Sequence, residues 1–264
     1  MVAVSQPLYK LDVLLKYKAL NKTMPMELAI FLDQINEHRR RGGEMPTIST
    51  IETIMKKMVE KTGVSSELLR EMNKLNKDNY DATLKKILSC KIETNDELCG
   101  FVSLVLSKAM NDRISISNYA MLCSDVKNRY IVDSDKKIYF KNILCNKCQL
   151  TFDSIIKNES KESKMSNTNF CIFLGELYNE DVLPQKIILI CLDELIKTIE
   201  LGDSLSCLCE FFPTIRDKLE EDKEELCDGY ILKIKGLLKT CFLTPSQRKQ
   251  SFLLLNLIEN IESQ

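Results

Sequence analysis

The sequence predicts an all-α chain wound into a solenoid of about five antiparallel helix pairs. Three observations predict it. Apolar residues recur at helical spacing through most of the chain, and strand-like alternation is scarce. Only 8 glycines and 6 prolines interrupt 264 residues, which leaves long stretches free of helix breakers. The breaks that do occur set off helical pairs at intervals of roughly 40 residues, the period of HEAT-type repeats. Each pair is amphipathic and buries its apolar face only by stacking on its neighbours.

The first pair is expected at 66–75 and 78–90, broken by the turn chemistry of Asn76–Asp78. The second is expected at 95–110 and 115–130, with Asn95 as N-cap and Asp96 and Glu97 at the positive end of the dipole. The third is expected at 135–157 and 168–178, joined by a polar, mobile loop over 158–166. The fourth is expected at 184–200 and 203–219, with Pro184 in the first helical position and Gly202 past the first helix's end. The fifth is expected at 222–240 and 245–262, where Phe252, Leu255 and Ile258, widened by Leu254 and Leu257, form a core stripe.

Three regions follow from this pattern. Residues 1–24 read as a flexible flank, 25–64 as N-terminal helices able to cap the solenoid, and 65–264 as the helical-repeat domain. The charge balance, 37 basic against 38 acidic side chains, supplies no global field for nucleic acid. No stretch approaches the roughly 20 apolar residues of a membrane span, and the N-terminus lacks a secretory signature. A cytoplasmic chain with no membrane partner is therefore expected, its 11 cysteines reduced.

Residues that could carry chemistry are few. The single histidine, His38, sits in a charged helix end, where a cation suits the dipole. Cys145-x-x-Cys148 has the spacing of a zinc or redox pair, but it lies inside an apolar helix with no second ligand pair, so packing is the expected role. Cys207 and Cys209 point to different sides of one helix. No phosphate-binding glycine loop and no nucleophile elbow occurs. The expectation is a non-enzymatic scaffold with no catalytic residue, no metal and no cofactor.

Several blocks carry a resemblance. They are Met72–Leu75, the stretch 92–100 beginning Ile-Glu-Thr-Asn-Asp-Glu-Leu, the helix 143–152 containing Cys145 and Cys148, the block Phe173-Leu174-Gly175-Glu176-Leu177-Tyr178, and 203–209. In this order and spacing the chain resembles the middle domain of eukaryotic translation initiation factor 4 gamma over about three quarters of its length. It departs where Asn169-Phe170-Cys171 replaces a glycine-asparagine pair, in a shorter third-repeat loop, and in lacking an arginine late in the last helix. The resemblance implies a scaffold that binds a DEAD-box RNA helicase of the initiation factor 4A type. Asn169, Glu176 and Arg248 are the implied helicase contacts.

Tyr9, Leu14 and Leu15 fit tyrosine-x4-leucine-hydrophobic, similar to the motif with which such factors bind the mRNA cap-binding protein. A short amphipathic helix could seat those side chains in an apolar patch. Tyr139 and Tyr178 also have leucine at the same offset, so the motif is weak without its N-terminal position. Two other readings stay open. One is a related scaffold in mRNA processing, decay or poly(A)-linked translation, without the cap-binding protein. The other is an RNA-binding module reaching mRNA through Lys141, Lys147, Lys157 or Lys164.

Overall fold

The computed structural model describes residues 64–240 and 248–262, all within a unit spanning Lys57–Gln264. Over these residues the fold is the expected all-α helical solenoid. The described helices are α1 (Ser66–Met72), α2 (Tyr80–Ser89), α3 (Asn95–Asn111), α4 (Ile116–Val126), α5 (Phe140–Ile156), α6 (Lys164–Asn179), α7 (Gln185–Lys197), α8 (Ser204–Thr240) and α9 (Arg248–Glu262). The regions 1–24 and nearly all of 25–64 lie outside the described residues.

In the first pair, Ser65 caps α1 by accepting from the Leu68 amide, and a short 3-10 turn (Lys77–Asn79) leads into α2. Glu71 is buried on α1 yet charged. Lys74 donates to its carboxylate at 3.0 Å, Arg70 at 3.2 Å, and Lys86 stands 3.8 Å away on α2. The Lys74 hydrogen bond, aided by these cations, holds the Glu71 carboxyl below its ordinary value against the opposing effect of desolvation.

The second pair starts one residue earlier than expected. Thr94, not Asn95, is the N-cap of α3: its hydroxyl accepts from the Glu97 amide while the Glu97 carboxylate accepts from the Thr94 amide. Threonine three residues before a glutamate is a capping box, which satisfies two orphan amides together.

The third pair holds the largest departure. A helix was expected from 135, but Tyr130–Asp133 (β1) and Lys136–Tyr139 (β2) form an antiparallel hairpin ahead of α5. Ser134 and Asp135 both take positive φ, 48° and 66°, as a tight two-residue hairpin turn requires. The pattern places Ile131 and Ile138 on the inner face, and Phe140 then enters the core against Phe101, with ring centroids 5.2 Å apart. The loop expected over 158–166 is shorter. Ser163 caps α6 through the Ser166 amide, and the amides of Glu159 and Ser160 bond back to the Ser154 carbonyl.

In the fourth pair Pro184 is the cap residue in extended geometry, not the first helical residue. Gly202 lies five residues past α7, in the turn before α8, at φ 48° with Asn158 against it. The expected break near 220 is one residue wide. Lys223 has extended φ/ψ (−161°, 90°) inside α8 and separates two helical segments. The second segment runs beside α7, with the Tyr230 hydroxyl at the Leu189 carbonyl and Lys233 3.2 Å from Asp193. The fourth and fifth pairs thus meet at a joint with no loop.

On α9 the buried stripe is Leu254, Leu257, Ile258 and Ile261. Phe252 and Leu255, expected in that stripe, face outward at 67% and 39% exposure. Spacing alone did not fix which side of this leucine-rich helix meets α8.

Candidate functional site

The most enclosed helix is α6, which packs against α3, α4, α7 and α8. Phe170, Cys171, Phe173, Leu174 and Leu177 are all buried along it. Gly175 allows the closest approach: a methyl added there would lie 2.8 Å from the Thr214 methyl and 3.1 Å from Ile215 on α8. Two expected contact residues, Asn169 and Glu176, stand on α6 two turns apart, but in different surroundings.

Asn169 is 1% exposed, so it offers no surface to a partner. Its amide donates to the Met110 carbonyl at 2.9 Å, closing the end of α3, and its own side-chain oxygen accepts no hydrogen bond. In this chain Asn169 is a buried strut between α6 and the end of α3. Around it runs a set of polar links. Asn167 donates to Asp203 at 2.8 Å, Ser160 donates to Asn167 at 2.9 Å, and Arg113 pairs with Glu210 at 2.6 Å. These links tie the turn after α3, the start of α6 and the turn before α8 into one edge. Ile114, Met165 and Leu201 stand exposed on that edge.

Glu176 is half-buried. Burial raises its carboxyl above the ordinary range, the Asn179 side chain opposes this by hydrogen bonding, and the charge of Glu180 adds to the rise. Exposed Met165 and half-buried Ile172 and Glu176 fall on one side of α6, at positions i, i+7 and i+11, with the buried Asn169 between them at i+4. They form a narrow strip on a helix that is otherwise enclosed.

Arg248 opens α9, and its side chain lies outside what the structure describes. Tyr9, Leu14, Leu15 and His38 lie outside the described residues.

At the opposite edge stand residues the sequence reading did not single out. Lys218 donates to the carbonyls of Tyr178 and Asn179, at 2.8 and 3.0 Å, and pairs with Asp181 at 2.6 Å, so it closes the end of α6. Arg129 does the same for α2, donating to the carbonyls of Ile87 and Cys90. A cation past a helix C-terminus is a readable signal, but each of these reaches from a distant part of the chain.

Catalytic chemistry has little to work with among the described residues. Cys148 is buried and Cys145 half-buried, and burial pushes both thiols above their ordinary value. No group of three metal-ligating side chains converges among the described residues, and none of their helices is long and apolar enough to cross a membrane. A groove of about 350 Å³ between α3 and α5 is lined by Leu106, Met110, Leu150, Lys147, Thr151 and Glu162 among others, with Lys147 bridging to Ser103 at 2.6 Å.

Stacked helical pairs with edges built from turns define a helical-repeat protein of the scaffold type. Residues 67–263 match the model of the MIF4G domain, and the chain belongs to that family. It is 25% identical to eukaryotic translation initiation factor 4G of Arabidopsis thaliana over 227 residues, covering 76% of this chain and 13% of that relative. It is 23% identical to human eukaryotic translation initiation factor 4 gamma 3 over 212 residues, covering 66% of this chain and 13% of the relative. It is also 25% identical to a von Willebrand factor A domain-containing protein of Dictyostelium discoideum over 218 residues, covering 75% of this chain and 10% of the relative. The chain therefore spans a small part of the length of the curated relatives it matches.

Proposed function

We propose that this chain is a translation-initiation scaffold that binds a DEAD-box RNA helicase and recruits it to cap-bound mRNA through the cap-binding protein. The family match over 67–263 carries this reading, supported by relatives described as initiation factor 4G. In the proposed arrangement residues 1–24 supply the cap-binding-protein contact through Tyr9, Leu14 and Leu15, and residues 65–264 hold the helicase.

The helicase contact centres on Met165, Ile172 and Glu176, with Arg248 as a second point, while Asn169, between them on α6, fixes the helix to the end of α3. The nucleotide chemistry belongs to the helicase. The scaffold accelerates it by binding one arrangement of the two helicase lobes more tightly than the others, and only that difference shifts the population.

Calorimetric titration tests both halves. Wild-type chain should bind the cap-binding protein at micromolar affinity or better, and Leu14→Ala/Leu15→Ala should abolish it, since apolar anchors at hot spots carry about 2 kcal/mol each. Glu176→Arg should weaken the helicase complex about ten-fold, or ~1.4 kcal/mol, without affecting the first titration. Helicase binding without cap-binding-protein binding would favour the second reading, a related scaffold in mRNA processing, decay or poly(A)-linked translation.

A further inference from the structure

The β1–β2 hairpin is an insertion in a helical repeat, and its two faces are unlike each other. The inner face carries Ile131, 5% exposed, and Ile138, which packs against the core. A hairpin needs only that face to dock on α3 and α5, and the outer face of such a pair is ordinarily polar. Here the outer face carries Tyr130 and Val132 on β1 opposite Tyr139 and Lys137 on β2. Tyr130 is 46% and Val132 61% exposed. The two tyrosine rings pack with centroids 5.4 Å apart, and the Lys137 ammonium stands 4.5 Å from the centre of the Tyr130 ring.

Charge on this face has one sign. Lys137 is the only ionic side chain the strands place there. Asp133 alternates to the side of Ile131, and Asp125, close in sequence, already accepts from the Tyr80 hydroxyl at 2.7 Å. Lys136, the register partner of Asp133, lies on that other side as well, and Lys141 is the second residue of α5. Exposed aromatic faces beside cations fit a ligand with planar groups spaced along a polyanion. Bases of a single strand can stack on such rings, whereas those of a duplex are stacked on one another already.

We propose that the outer face of the β1–β2 hairpin is a stacking platform for single-stranded RNA. A base lies on the Tyr130 ring, and the Lys137 ammonium, displaced from that ring, pairs with the adjoining phosphate. The choice of RNA rests on the translation reading above, but the platform requires neither the helicase nor the cap-binding protein, so either can fail alone. In a chain of net charge −1, stacking and not a broad electrostatic surface must supply most of the affinity.

The test is fluorescence anisotropy of a labelled single-stranded oligouridylate, roughly 12 nucleotides to span one such site, titrated with the full chain. Tyr130→Ala should weaken binding about ten-fold, and Tyr130→Phe, which keeps the ring, should stay within about two-fold of wild type. Lys137→Glu should weaken binding and reduce the slope of log affinity against log salt by about 0.7, the value for one phosphate on a single strand. Far-ultraviolet circular dichroism confirms that each variant is folded. Equal affinity in wild type and Tyr130→Ala overturns the proposal, as does equal loss in the alanine and phenylalanine variants. An unchanged RNA affinity with loss of a protein partner in Tyr130→Ala also overturns it, and makes the face a protein contact.

Discussion

Along the edge where α3 and α7 end and α6 begins, the cross-links are mostly neutral amides and hydroxyls: Asn169 to Met110, Asn167 to Asp203, Ser160 to Asn167. Along the edge where α2 and α6 end, they are cations: Arg129 on the last carbonyls of α2 and Lys218 on those of α6. The helix dipole accounts for the contrast. A C-terminus presents unpaired carbonyls and partial negative charge, which suits a cation. The start of α6 presents amides, one of which the Ser163 hydroxyl satisfies without any charge. One edge is therefore held mainly by side-chain amides and hydroxyls, with the half-exposed Arg113–Glu210 pair beside them, the other by cations placed on helix-end carbonyls.

Substitutions can break or sharpen this contrast. The largest effect is expected between the edges, at Gly175→Leu. The new side chain has no room against Thr214 and Ile215, and overpacking should cost about 3 kcal/mol in urea denaturation. Next come the cationic closures. Lys218→Met takes the donor from the Asn179 carbonyl and Arg129→Met from the Cys90 carbonyl, while Tyr178 and Ile87 keep the amides of Asp181 and Cys90, for a loss of about 2 kcal/mol each by the same assay. At the neutral edge Asn169→Leu fills the same space but leaves the Met110 carbonyl unpaired, for about 1–2 kcal/mol. Equal losses at both edges would argue against a special role for charge. The smallest change is Arg113→Ala, which removes a half-exposed ion pair and should shift stability by less than about 1 kcal/mol.

A pH series sharpens the electrostatic side. Glu71 has a depressed carboxyl, so its contribution is present above the ordinary carboxylate value, about 4.3. It is lost as pH falls through the lower folded value. Urea midpoints measured downward from pH 6 should fall less steeply for Glu71→Gln than for wild type.

The helical rhythm was legible because amphipathic spacing and sparse glycine and proline act locally. Residues 130–139 were not legible as a hairpin, because a run of only four residues per strand carries too little periodicity to oppose a helical context. Ser134-Asp135 between two apolar-aromatic runs was the available signal. Thr94 with Glu97 is likewise a capping box legible in the sequence, although Asn95 beside it is a good cap by residue type alone. Of the candidate contacts, Glu176 is half-buried. The burial of Asn169 was not legible, because it depends on a carbonyl 59 residues away, which no local pattern encodes.

Gly175 gives the block Phe173–Tyr178 another meaning. Where a helix carries no side chain so that its neighbour's threonine can reach its backbone, positions 175 and 214 share one volume. Neither can grow unless the other shrinks, and the distance between α6 and α8 is set by that joint allowance. The six-residue block thus works as a spacer gauge between adjacent repeats, and the pitch of the solenoid at its centre is written in the absence of a methyl group.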